Sequence, residues 1–167
     1  MNKEPFEEVV EANKQSIFRI CKIYATPPYE PEDFFQEVVF QGWKSYDRFE
    51  GKSKASTWIY RVALNVCLQL KSKHSKANDL TSRIDSIQVV LNEDTSSEDQ
   101  ERFEWLKACI QQLGEADRSI IVLFLEELPY KEIGAVLGLT ENHVAVKMKR
   151  IKAKLAECMT PKMQGHA

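Results

Sequence analysis

Apolar residues in this chain recur at three- and four-residue spacing almost from one end to the other, and nowhere do they alternate in the two-residue rhythm of a strand. Phe6, Val9, Val10, Ile17, Ile20 and Tyr24 lie on one face of a first amphipathic helix, which Pro27-Pro28-Tyr29-Glu30-Pro31 stops. A second helix opens at Glu32-Asp33 and carries Phe34, Phe35, Val38, Val39, Phe40 and Trp43 to about Tyr46, apolar nearly all round. A loop from Asp47 to Ser56 precedes a third helix, expected from Thr57 to about Lys73. Periodicity then lapses over residues 75–101, which are acidic and rich in Ser and Thr. It resumes with Phe103, Leu106, Ile110 and Leu113, then Ile121, Phe124, Leu125 and Leu128, then Ile133, Val136 and Leu137, and last Val144, Met148, Ile151 and Leu155. The expected fold is all-α: two small helical domains over residues 1–77 and 102–160, an acidic linker over 78–101, and a tail over 161–167.

Charge follows the same division. The net charge of −2 conceals an excess of basic residues at 47–78, seven against two acidic, and at 140–167, six against two. Between them, residues 79–101 hold seven acidic and one basic. Two basic segments in separate domains imply two contacts with a polyanion. No apolar run approaches the ~18 residues that span a bilayer, and Met1-Asn2-Lys3-Glu4-Pro5 has no signal-peptide pattern, so the expectation is a cytoplasmic protein without membrane insertion. Cys21, Cys67, Cys109 and Cys158 form no C-x-x-C, and the histidines are scattered, so reduced thiols and no metal or cofactor are expected. There is no phosphate-binding glycine loop and no nucleophile constellation, which argues against an enzyme.

Tyr130 to Met148 has the layout of a helix-turn-helix. Gly134 is small where two helices cross, Gly138 suits the left-handed turn, Leu139 plugs the corner, and Thr140 can cap the second helix. A plain helical hairpin explains the apolar spacing but not this sequence of small residues, cap and basic helix. With Val144 inward at about 100° per residue, Met148, Ile151 and Leu155 fall within about 40° of it. Asn142, Val146, Lys149, Arg150 and Ala153 then face outward. An exposed valine among cations gains from a thymine methyl, an arginine from a guanine edge, and Lys147 and Lys154 on the flank suit phosphates. On the third helix Trp58, Arg61, Asn65, Gln69 and Ser72 form a polar stripe headed by an aromatic, beside a loop bearing Lys52 and Lys54. Aromatics and amides next to cations suit unstacked bases.

Three stretches, Asp33-Phe34-Phe35-Gln36-Glu37, then Trp43 with Tyr46-Asp47-Arg48-Phe49, and Trp58-Ile59-Tyr60-Arg61-Val62-Ala63-Leu64-Asn65, resemble region 2 of bacterial extracytoplasmic-function (ECF) sigma factors. Residues 128–155, LPYKEIGAVLGLTENHVAVKMKRIKAKL, resemble their region 4. The resemblance implies core RNA polymerase and promoter DNA as partners, and raises an anti-sigma factor as a third. It implies polymerase docking by Asp33, Gln36, Glu37 and Phe40. It implies minus-ten contacts by Lys52, Lys54, Trp58, Arg61 and Asn65, with the loop Phe49 to Ser56 capturing a flipped base. It implies minus-thirty-five contacts by Thr140, Asn142, His143, Val146, Lys147, Lys149, Arg150 and Lys154. The chain departs from many members in opening its recognition helix with Asn142-His143-Val144-Ala145-Val146 and in lacking a dense arginine cluster after Lys71. The competing reading is an ordinary helix-turn-helix regulator that binds duplex DNA without polymerase.

Overall fold

A computed structural model describes residues 3–78 and 97–165, and every regular element among them is helical. Helices α1 (Phe6–Tyr24), α2 (Pro31–Ser45) and α3 (Ala55–Asn78) make the first domain, with a 3₁₀ turn at Tyr46–Arg48. Helices α4 (Ser97–Gln111), α5 (Glu115–Leu125), α6 (Tyr130–Leu137) and α7 (Glu141–Gln164) make the second. None of the described helices is long and apolar enough to cross a membrane.

The first domain closes around Val9, Ile17 and Ile20 of α1, Phe34 and Val38 of α2, and Ile59, Ala63 and Leu64 of α3, all fully buried. Gly42 lets α2 approach the others: a Cβ there would meet Phe6 at 3.0 Å and Ile59 at 3.2 Å. Pro31 starts α2 where its missing N–H costs nothing, and Glu30 and Asp33 cap it reciprocally, Asp33 accepting from the Glu30 N–H at 3.1 Å. The second domain buries Ile110, Ile120, Leu123, Ile133, Val144, Met148 and Ile151. Arg118 is buried inside it and donates to the carbonyls of Gln111 (2.7 Å), the last residue of α4, and Leu113 (2.9 Å) in the turn that follows, satisfying acceptors at the helix's C-terminal end.

Four boundaries differ from the sequence expectation. The linker gives way to helix at Ser97, because Glu98 and Asp99 sit in the first turn of α4, where acidic side chains favour a helix start. Residues 79–96, the body of the expected linker, lie outside the described part. Helix α3 begins at Ala55 and runs to Asn78, longer at both ends than expected. Helix α7 continues through Pro161 to Gln164, so the expected tail opens as helix. Proline removes one backbone donor without ending the helix, which closes where its C-cap Gly165 N–H bonds the Pro161 carbonyl at 3.2 Å.

The cysteine expectation needs a larger correction. Cys109 and Cys158 are joined in a disulfide across a sequence separation of 49, while Cys21 and Cys67 are buried free thiols. Spacing along the chain conceals the pair because α4 and α7 meet only in the folded domain.

Candidate nucleic-acid interface

The recognition helix is positioned by the turn before it. Gly138 takes φ +72°, the left-handed conformation that glycine adopts without steric cost. At Gly134 a Cβ would lie 2.4 Å from the Leu139 carbonyl oxygen, so the crossing of α6 and the turn requires glycine. Thr140 Oγ1 accepts from His143 N–H at 3.1 Å and caps α7. Val144, Met148, Ile151 and Leu155 then point into the core. That orientation leaves Asn142, His143, Lys149 and Arg150 exposed, with Val146 exposed at 52%.

Lys147 and Lys154 are on the flank of this face, but they are not free cations. Asp117, in the first turn of α5, lies 3.4 Å from Lys147 Nζ and 3.5 Å from Lys154 Nζ. Lys147 is mostly covered there, while Lys154 remains largely in solvent. Asp117 was not singled out from the sequence, because the two lysines it bridges lie 30 and 37 residues away.

The second surface lies on α3. Arg61, Asn65, Gln69 and Ser72 are exposed along one stripe. Trp58 heads the stripe but is not an open platform. Its ring packs 5.4 Å from Tyr46 and 5.2 Å from Phe49, in an aromatic group that also holds Phe6 and is covered by Lys3 over Tyr46. The Trp58 face is therefore partly used to hold the loop root in place. Lys52 pairs with Glu50 at 2.6 Å, both exposed, and Gly51 has φ +74° at the loop tip. Lys54 and Thr57 turn instead toward α6, where Glu132 lies 3.9 Å from Lys54 Nζ and accepts from Thr57 Oγ1 at 3.1 Å.

A third exposed surface is apolar. Phe40 is 50% and Trp43 62% exposed on α2, with Lys44 Nζ over the Phe40 ring at 5.1 Å. Gln36 is exposed near them, and Glu37 accepts from Gln41 Nε2 at 2.8 Å. Large aromatics left in water on one helix face mark a protein partner.

The two domains also touch. Arg19 of α1 forms a two-pronged ion pair with Glu126 beyond α5, at 2.9 and 2.8 Å. This raises the arginine's pKa further, chiefly through the hydrogen bond to Glu126. Gln111 Nε2 donates to the Ile23 carbonyl at 3.1 Å. Tyr24, buried at the same boundary, has its phenol pushed up to about 12 by burial. Ser119 lies close enough to ease this slightly while donating its own proton to the Glu115 carbonyl at 3.0 Å, and the Tyr24 hydroxyl makes no hydrogen bond of ordinary geometry among the described residues.

Comparison with known proteins agrees with this two-part arrangement. Residues 9–77 match the family model Sigma-70 region 2, and residues 103–155 match Sigma-70, region 4. The chain is 26% identical over 160 residues to the ECF RNA polymerase sigma factor SigW of Bacillus subtilis, covering 89% of this chain and 86% of that one. It is 33% identical over 63 residues to SigG of Mycobacterium tuberculosis, a match covering 38% of this chain and 17% of the relative. Two solved structures share the fold over 93% of the chain. One is CnrH in complex with the cytosolic domain of CnrY, with a TM-score of 0.69, 19% identity and 88% of its own chain covered. The other is the sigma factor RpoE in complex with the anti-sigma factor NepR from Bartonella quintana, with a TM-score of 0.71, 17% identity and 96% covered. With both sigma regions present in order and a relative aligned over nearly its whole length, the chain belongs to the ECF sigma factors of RNA polymerase.

Proposed function

We propose that the sigma-factor activity of this chain is divided among its three exposed surfaces. The α2 face, with Asp33, Gln36, Glu37, Phe40 and Trp43, docks on core polymerase. The α3 stripe of Arg61 and Asn65, with Lys52 and Lys54 in the adjoining loop, holds the melted minus-ten strand. The outward face of α7, with Thr140, Asn142, His143, Val146, Lys149 and Arg150, reads the minus-thirty-five duplex in the major groove, flanked by Lys147 and Lys154. The observation that carries this division is the pair Phe40 and Trp43, exposed on a helix of the domain that lacks the helix-turn-helix. A regulator that dimerises through its N-terminal helices would bury this surface against a second copy of the chain, and addition of core polymerase separates that reading from this one. An anti-sigma factor that covers one or more of these surfaces is a further partner, in keeping with the complexes of CnrH and RpoE.

The test adds the purified chain to bacterial core polymerase and measures promoter-specific transcription. Gln36→Ala combined with Glu37→Lys is expected to abolish association with core while leaving the helical circular dichroism unchanged. Arg61→Ala and Asn65→Ala are expected to weaken permanganate reactivity of unpaired thymines more than closed-complex formation. Association that survives the first variant removes the docking role from α2.

A further inference from the structure

We propose that Cys109 and Cys158 form a reversible thiol–disulfide site in the second domain, with a peroxide as oxidant and a dithiol as reductant. Each domain holds one cysteine pair between two helices, and the two pairs differ in what solvent can reach. Cys21 of α1 and Cys67 of α3 lie 4.0 Å apart, sulfur to sulfur, and both are fully buried. The hydrogen bond to Cys21, and then burial, hold the Cys67 thiol well above its usual pKa. A protonated thiol that no oxidant can reach is unreactive.

The second pair has one cysteine inside the core and one at its edge. Cys109 is buried in α4, Cys158 is partly buried at the core's edge on α7, and their Cα atoms are 5.9 Å apart, within the span a disulfide bridges without backbone movement. The Cys158 thiolate, the more accessible of the two, attacks a peroxide oxygen. The O–O bond breaks, water leaves, and the sulfur becomes a sulfenic acid. Cys109 then attacks that sulfur, the S–O bond breaks, and a second water carries away the remaining proton. Two thiols and hydrogen peroxide thus yield one disulfide and two waters. A dithiol reverses the step by exchange, itself becoming oxidised.

The placement gives the bond a structural consequence. Of the residues of α4, Cys109 and Ile110 are the buried ones, so much of this helix's attachment passes through the pair. The bond pins α4 to α7 eight residues beyond Arg150, on the same helix that carries the outward basic face, and encloses α5, α6 and most of α7. Closing so long a loop restricts the unfolded chain strongly. Oxidation therefore firms the second domain, and reduction loosens α4 against α7. This holds whatever DNA sequence that domain reads.

The experiment starts from the fully reduced chain, treats it with hydrogen peroxide, alkylates the remaining thiols and maps the peptides by mass. The expected product has Cys109 linked to Cys158, with Cys21 and Cys67 alkylated only after denaturation, and dithiothreitol restores four thiols. Amide exchange over residues 97–111 is expected to slow at least about tenfold on oxidation. That difference should vanish in Cys158→Ser, a near-isosteric change at a partly buried position, with the variant's helical circular dichroism checked alongside. Four free thiols after peroxide, a link between Cys21 and Cys67, or equal exchange in the two states overturns the proposal.

Discussion

At the scale of single residues, the groups that matter most beyond the outward base-facing positions are those whose partners lie far away in sequence. Tyr24 is one. Its folded pKa of about 12 lies above the unfolded value of 10.0, so the folded state favours the neutral phenol. The stability it contributes is fully present below pH 10 and is lost as pH rises from 10 to about 12. Two pH units correspond to roughly 3 kcal/mol at most. Urea titrations across that window should show the loss in the native chain, and Tyr24→Phe, which removes an unpartnered hydroxyl, should flatten it. Asp117 is the other. It holds Lys147 and Lys154 near 3.5 Å, so these lysines must exchange one anion for another when phosphate arrives. Asp117→Asn frees both. Duplex binding is expected to tighten at low salt, with a log–log salt dependence steeper by about one to two charges' worth. An unchanged slope in fluorescence anisotropy titrations would remove the two lysines from the phosphate contacts.

Elements are positioned by a few backbone requirements, and the helix-turn-helix has the strictest. Replacing Gly134 by Ala puts a methyl 2.4 Å from the Leu139 carbonyl oxygen, a backbone atom that cannot swing away. The turn must open, and the expected cost is about 2–4 kcal/mol, seen as a lower melting temperature of the second domain and weaker duplex binding together. Thr140→Ala, which loses a cap but leaves the turn intact, should cost only about 1 kcal/mol. Comparable losses from both would put the requirement in the cap instead of the crossing. Gly134 and Gly138 were legible in the sequence because a tight turn between periodic segments leaves few residue types able to fill it. Trp58 was legible only as an aromatic at the head of a polar stripe. Its engagement with Tyr46 and Phe49 depends on how the 3₁₀ turn folds back, which local spacing does not record.

On the scale of the whole molecule, the described domains are held together by Arg19 with Glu126, by Gln111 with the Ile23 carbonyl, and by Glu132 with Thr57 and Lys54. The proposed division of labour requires them to part. Elements named for positions minus ten and minus thirty-five are about 25 base pairs apart, roughly 85 Å along the duplex. A hydrogen bond of 3.1 Å between the root of the minus-ten loop and α6 cannot persist while both are read. Arg19→Glu is therefore expected to expand the free chain beyond the ~15 Å radius of gyration of a compact protein of this size. Arg19→Glu with Glu126→Arg should restore compactness, because the swapped charges meet in the same place. Small-angle scattering of the three forms measures this, and equal radii throughout would show that the ion pair does not govern closure.

The amino-acid sequence by itself determined the helices, the division into two parts, the inward stripe of Val144, Met148, Ile151 and Leu155, and the family. All of these depend on periodicity, on turn chemistry or on motif order, which are local along the chain. The tertiary structure alone decided that Cys109 meets Cys158, that Asp117 bridges Lys147 and Lys154, that Arg118 seals the end of α4, and that Glu126 and Glu132 reach the first domain. Most of these contacts join side chains dozens of residues apart, and Arg118 reaches back across a turn between helices. Helical spacing says which face a residue occupies, whereas the packing of one helix on another decides which distant residue stands opposite it.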